Sequence, residues 1–227
     1  FIKVISNNII GWGECYAPPF HPRVLQNMIQ DIADRFVISS DPYKIENLFR
    51  RIYSSGYNQR PDISLMGILS GLEMACWDII GKDLNKPIYE LLGGLVRKKL
   101  RTYTYLYPRD NDTTNVYEDP DLAAARALEY IEEGFTAIKF DPVGPYTIYD
   151  PRQLSLSSLS LSEKFVSKIR KAVGDRCDII FGTHGQMTSA SAVRLAKKLE
   201  QYDPLWFEEP VPPDNIEAMS LVASKTS

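Results

Sequence analysis

An α/β protein in two parts is predicted, an α+β segment followed by strand–helix units of the kind that build a parallel sheet or a barrel. Three observations carry the prediction. A hairpin pattern opens the chain and gives way to three helical stretches before residue 99. From Leu100 onward, short apolar runs alternate with helical periods four times over. The first strand-to-helix turn of that second part, "YLYPRDNDTT", has no Gly-rich phosphate fingerprint, which disfavours a dinucleotide-binding doubly wound sheet.

The elements follow in order. "FIKVIS-NN-IIGWGE" reads as a β-hairpin with Asn7 and Asn8 in the turn. A helix is expected over Pro22 to Phe36, with Pro22 in its first turn. Asp41 and Pro42 read as the N-cap and first residue of a second helix, "YKIENLFRRIY". The third, Ser64 to Lys82, repeats Leu65, Leu69, Leu72, Ala75, Cys76 and Ile79 at helical spacing and should be buried. Gly93 and Gly94 stop a short helix, and the domain boundary is placed nearby, giving segments 1–98 and 99–227. Strands are then expected at "LRTYTYLY", "TAIKF", "CDIIF" and "PLWFEEP". The helices between and after them are a stretch capped by Asp119 or Asp121 and closed by Gly134, then "LSEKFVSKIRKAVG", "SASAVRLAKKLEQY" and "DNIEAMSLVASK". A polar loop from Asp141 to Ser158 precedes the second of these.

The totals narrow the partners. With 227 residues, a formal net charge of −3 and 44% hydrophobic residues, the chain can bury a real core and shows no basic nucleic-acid footprint. No uninterrupted apolar run approaches the ~18 residues needed to cross a bilayer, so no membrane partner is expected. Three widely spaced cysteines, Cys15, Cys76 and Cys177, fit a reduced cytoplasmic protein better than a disulfide scaffold. Cys76, within a helical pattern, reads as a packing residue rather than a nucleophile. The chain begins inside a strand-like run and stops in a helix after four βα units, so both ends are expected to be incomplete.

In parallel α/β architectures the side chains at carboxyl strand ends converge on one face. Those positions hold Lys139 and Asp141 after the second strand of this part, His184 after the third, and Glu208 and Glu209 after the fourth. A lysine, a histidine and carboxylates around one mouth can hold a divalent cation and move a proton beside it. Each has a plainer reading: a solvated lysine, a turn-forming aspartate before Pro142, a turn histidine, surface charge in "EEP". Glu208 directly follows "LWF" and should point into the mouth, leaving Glu209 in a supporting place.

"GWGE", "GLEMACWDIIGK", "PIYELLGG", "AIKF", "GTHGQ" and "LWFEEPVPP", in that order, resemble the enolase superfamily, in its mandelate racemase/muconate lactonizing enzyme-like branch. Within it they are similar to galactonate dehydratase-like sugar-acid dehydratases. The resemblance implies an α+β capping domain over a (β/α)7β barrel of TIM type, here truncated, and Mg2+ held by three carboxylates on successive strands. The implied chemistry removes a proton α to a carboxylate and forms a stabilised enolate. On that pattern Glu208 matches a metal ligand and Lys139 the first lysine of a Lys-x-Lys pair. Asp141 stands where the second lysine would, which disfavours a two-base racemase. His184 matches a histidine that protonates a departing β-hydroxyl, a role suited to histidine near neutral pH.

The pattern breaks at Gly182, where the third-strand aspartate ligand is expected. A water, the substrate or Asp141 could fill the gap, and weaker metal binding than is usual for the family follows; His184 suits a softer metal. The last ligand and a catalytic histidine would lie beyond Ser227. In "YSSGYNQRPDIS", Arg60 could pair with a substrate carboxylate or simply be a solvated loop residue.

The expected function is a Mg2+-dependent hydro-lyase of carbohydrate-acid catabolism, acting on a sugar acid and homo-oligomeric when full length. The alternatives are a racemase or epimerase of a 2-hydroxy acid, or a non-catalytic ligand-binding protein on the same scaffold. The 227 residues alone are expected to be inactive and marginally stable, with an unpaired edge at "PLWFEEP".

Overall fold

The computed structural model describes residues 1–16, 20–143 and 153–227. The chain divides into two compact units, Phe1–Lys99 and Leu100–Ser227.

The first unit begins with an antiparallel hairpin, β1 (Ile2–Ser6) and β2 (Ile9–Gly13), in the register Ile5 to Ile10 and Lys3 to Trp12. Asn7 and Asn8 have φ of 48° and 67°, the left-handed pair that a two-residue hairpin turn requires and that asparagine tolerates. Three helices follow: α1 (Pro22–Ile32), α2 (Ile45–Ser54) and α3 (Ile63–Asp83), and then a short α4 (Ile88–Leu91). His21 caps α1, its Nδ1 accepting from the Arg23 N–H at 3.2 Å. The chain beyond Ile32 widens into a π turn, Ala33–Val37, so the expected α-helix to Phe36 ends four residues early. The second helix begins at Ile45 rather than Pro42. Asp41 instead folds a local turn in which its Oδ1 accepts from the Tyr43 N–H at 3.0 Å, and the helix starts after it.

The hairpin lies on α3 at backbone distance, which explains the glycines of "GWG". A Cβ placed on Gly13 would stand 1.8 Å from the Gly71 carbonyl oxygen, and one on Gly11 2.0 Å from that of Ala75. The contact is tied by Asp78, whose Oδ2 accepts from the Trp12 N–H at 2.8 Å, and by Lys82, which donates to the Ile10 carbonyl at 2.7 Å. Gly13→Val must separate strand from helix. The expected cost is at least ~3 kcal/mol, at the upper end of overpacking losses, read as a lower urea midpoint in Trp12 fluorescence.

Among the described residues α3 is the one helix long and apolar enough to cross a membrane, 21 residues with a mean hydropathy of 1.5 over its most apolar stretch. Glu73 and Asp78 interrupt it, so no uninterrupted apolar run of that length shows in the sequence although the helix as a whole is apolar. It is a core helix, with Ile68, Leu69, Leu72, Ala75, Cys76 and Ile79 all buried.

The second unit is a four-stranded parallel sheet in the order β3 (Thr104–Tyr105), β4 (Ala137–Phe140), β5 (Asp178–Gly182), β6 (Pro204–Glu208). Neighbours in sequence are neighbours in space, as in a barrel wall; a doubly wound sheet reverses its order. The helices are α5 (Pro120–Glu132), α6 (Leu156–Val173), α7 (Ser189–Leu199) and α8 (Ile216–Lys225). Asp119 caps α5, accepting from the N–H groups of Asp121 and Leu122, and Gly134 closes it at φ 103°. Two expectations shift. β3 is two residues long, not eight. α6 starts at Leu156, five residues before Leu161, because Ser155 caps it through the Ser158 N–H and Leu159 is buried against the core. The rest of the expected loop, 144–152, lies outside the described residues.

Strand alternation separates two faces. Phe140, Phe181 and Phe207 are in register across β4, β5 and β6. Their rings meet at 5.8 and 6.2 Å, with Phe165 of α6 at 5.5 Å from Phe140. That face is the helix-side core. Lys139, Gly182 and Glu208, each one residue from a phenylalanine, share the opposite face.

Candidate active site

The site grows from that opposite face at the carboxyl ends of the strands. Lys139 leaves β4 and reaches Glu208 of β6, its Nζ 2.6 Å from Oε1. The second oxygen of Glu208 accepts from Trp206 Nε1 at 3.0 Å. The lysine ammonium also lies 5.4 Å from the centre of the Tyr103 ring, which stacks edge-on against Trp206 at 5.9 Å. The side chains of Lys139 and Glu208 are 12% and 34% exposed, so the pair is partly withdrawn from water.

Burial alone would lower the Lys139 pKa, but the hydrogen bond and charge of Glu208, with help from Tyr103, outweigh it and the net direction is up. Burial likewise opposes ionisation of Glu208, and the N–H donors of Lys139 and Trp206 and nearby positive charge turn its net direction down. The sign for stability follows. The Lys139 contribution is present below its ordinary value of 10.5 and is lost as pH rises through its raised folded value. The Glu208 contribution is present above 4.5 and is lost as pH falls through its lowered folded value. The stability gap between wild type and Lys139→Met is therefore expected to stay flat from about pH 5 to 9 and to shrink below about pH 4, measured as urea midpoints across pH.

His184 follows β5 in a turn fastened to the exit of β6. The Thr183 hydroxyl donates to the Glu208 carbonyl, the Gly185 N–H to that of Glu209 at 2.6 Å, and the Met187 N–H to that of Pro210 at 3.1 Å. Gly185 takes φ 72°, and Gln186, buried, accepts the His184 N–H at 2.6 Å through its side chain. The imidazole itself is 64% exposed, with Nδ1 3.8 Å from Asp141 Oδ2. The other Asp141 oxygen accepts from the Val143 N–H at 2.9 Å. Glu209 is exposed with φ 41°, a turn residue at the start of the loop.

Of the residues expected at the mouth, four come together in two pairs, Lys139 with Glu208 and Asp141 with His184. Arg60 belongs to the first unit, where its Nε–H donates to the Tyr57 carbonyl and its guanidinium lies 5.7 Å from the Tyr53 ring centre. Sequence reasoning missed Tyr103, Tyr105 and Trp206, although the period-2 tyrosines of "TYTYLY" were a signal for one face. Burial first, and then the charge of Asp141, push the Tyr105 phenol well above its usual range, so it stays a hydroxyl beside Asp141.

An α+β unit followed by consecutive parallel βα units in sequential strand order, with charged groups gathered at the carboxyl strand ends, is the element order of an α/β-barrel protein with an N-terminal α+β domain. The pattern described as mandelate racemase / muconate lactonizing enzyme, N-terminal domain, matches residues 1–93, and the one described as enolase C-terminal domain-like matches residues 122–227. The chain belongs to the enolase superfamily, in its mandelate racemase/muconate lactonizing enzyme branch. It is 32% identical over 225 residues to a D-xylonate dehydratase of Haloferax volcanii, covering 96% of this chain and 52% of the relative. It is 31% identical to a D-galactonate dehydratase of Xanthomonas euvesicatoria pv. vesicatoria, covering all of this chain and 56% of the relative. A crystal structure assigned to the mandelate racemase/muconate lactonizing enzyme family, from Burkholderia SAR-1, superposes with a TM-score of 0.94 at 54% identity. That match covers 99% of this chain and 56% of the other. The chain thus spans about half the length of the curated relatives it matches, as a capping domain and part of the enolase-like domain.

Membership implies a divalent metal in general. The described residues of this chain do not by themselves make up such a site. Glu208 has both oxygens on N–H donors, Gly182 brings no side chain, and no group of three His, Cys, Asp or Glu among the described residues could hold a metal ion.

Proposed function

We propose that the protein carrying this chain is a dehydratase of sugar acids, removing the elements of water from C2 and C3 of a 2,3-dihydroxy acid. A base takes the C2 proton, its electron pair forms the C2–C3 double bond, the C3–O bond breaks, and the departing oxygen leaves as water after gaining a proton. The enol then becomes the 2-keto-3-deoxy acid. The observation that carries this reading is the pair at the end of β5 and β4: a solvent-facing imidazole 3.8 Å from a carboxylate. A histidine so placed can give a proton to a leaving oxygen, with Asp141 holding the ring and balancing its charge in the protonated form. Lys139 supplies positive charge on the same strand-end face, where charge builds on the substrate carboxylate as the C2 proton leaves. The base, on the family resemblance, would be a histidine outside the 227 residues. No step here passes through Mg2+, because the described residues do not compose its site.

A complete (β/α)7β barrel, a homo-oligomer and a cytoplasmic setting belong to the same proposal. Cys76 and Cys177 fit the last. Both are free and buried, and burial raises their thiols, Cys76 to about 11 with Glu73 adding to the shift, so neither is a reactive group.

The acid role has its own test in the intact protein. His184→Asn is expected to slow loss of the C3 hydroxyl about 10²–10⁴-fold while a 3-deoxy-3-fluoro analogue, whose fluoride leaves with far less proton assistance, keeps most of its rate. Equal losses on both substrates would remove His184 from the acid role.

A further inference from the structure

We propose that Lys139 is the resident cation of Glu208 in this protein, and that Gly182 is the positioning residue that lets the lysine reach it. The two charged residues are not on neighbouring strands. β5 lies between β4 and β6, so Lys139 must cross a gap of about 9–10 Å, two strand spacings. Its path runs over the one position on β5 that lacks a side chain. Gly182 is paired with Glu208, and a Cβ built on it would stand 2.3 Å from Lys139 Cε, 3.2 Å from Cδ and 3.1 Å from Cγ. Three methylenes of the lysine therefore fill the volume that any other residue would occupy. The φ of Gly182 is not left-handed, so backbone freedom is not what glycine provides here.

The arrangement closes on itself. The ammonium contacts Glu208 Oε1, Trp206 Nε1–H holds Oε2, and the Tyr103 ring flanks the ammonium. Glu208 is thereby charge-balanced from within the chain. A carboxylate at position 182 would remove the lysine's path and add a second anionic ligand beside Glu208. Glycine at 182 and the lysine on β4 thus form one device, an internal cation in place of a ligand pair. The inference does not depend on which substrate the protein takes, and its test uses no turnover.

The test is brief acetylation of the intact, folded protein with an amine-reactive ester, read peptide by peptide by mass spectrometry. Lys44, whose side chain is 71% exposed, serves as the internal reference. Lys139 is expected to react at least tenfold more slowly than Lys44. Gly182→Ala, which adds a methyl and no ligand, is expected to raise the Lys139 rate at least fivefold with Lys44 unchanged. Glu208→Gln releases the same ammonium without touching the glycine, and reads the device should the alanine variant fail to fold.

A second arm titrates Mn2+ by its electron paramagnetic resonance signal. The double variant G182D/K139M is expected to bind Mn2+ at least tenfold more tightly than wild type or than either single variant. The proposal is overturned if Lys139 labelling is the same in wild type, Gly182→Ala and Glu208→Gln. It is equally overturned if wild type binds Mn2+ as tightly as the double variant and loses it in Glu208→Gln, since the metal would then displace the lysine.

Discussion

Lys139→Met is expected to lower turnover of the intact protein about 10²–10³-fold, the range seen when one preorganised charge or donor is removed from a developing anion. Methionine matches the length and packing of the lysine stem, so the packing over Gly182 survives while the ammonium's contacts with the Tyr103 ring and Glu208 are lost. What disappears is the charge. The loss should fall on kcat more than on KM if the ammonium acts on charge that develops during C2 deprotonation, and on KM alone if it only holds the ground-state carboxylate. Steady-state kinetics of the variant separate the two, and an unchanged kcat would confine Lys139 to binding.

The second large effect is structural. Arg126, on α5, is 2% exposed and ties three groups: the Tyr107 carbonyl at 2.5 Å, Asp112 at 2.6 Å and Glu129 at 2.9 Å. These bonds fasten the loop that follows β3, a strand only two residues long that cannot hold its own exit. Arg126→Met would remove the side-chain donor of the Tyr107 carbonyl and the charged partner of Asp112, whose side chain is 8% exposed and would keep only the Arg109 N–H at 2.7 Å on its other oxygen. The expected result is a fall in melting temperature of ~10 °C or more. Glu129→Gln, at a half-exposed partner, should shift it by no more than about 2 °C. Calorimetry of the two variants checks the contrast.

Much of the fold was legible because its signals are local. Asn7-Asn8 marks a hairpin through a backbone preference, Gly134 ends a helix through a positive φ, and the strands of the second unit stand out as apolar runs between helical periods. Counting to the carboxyl ends of those strands was enough to single out Lys139, Asp141, His184 and Glu208. Local signals also misled where tertiary contacts decide. Asp41-Pro42 looks like a helix start but forms a turn ahead of one. The serines of "LSLSSLS" look like loop, yet Leu159 finds the core and draws the helix back to Leu156. The glycines were the least legible. "GWG" and Gly182 are both glycine for want of space, against an α3 backbone in one case and a lysine stem in the other. Neither neighbour is near in sequence, so no spacing rule could have named it. Gly182 looked like a missing ligand because the lysine that fills its place comes from the adjacent strand.

The most direct measurement of the central claim is the fate of C2 and C3 when the intact protein meets D-xylonate, D-gluconate and D-galactonate in deuterated water, followed by proton NMR. A sugar-acid dehydratase converts at least one of them to its 2-keto-3-deoxy acid carrying one solvent deuteron at C3, and His184→Asn slows that conversion by about 10²–10⁴-fold. Exchange of the C2 proton with no keto product would make the protein a racemase or epimerase, and the absence of both signals on all three acids would contradict the account.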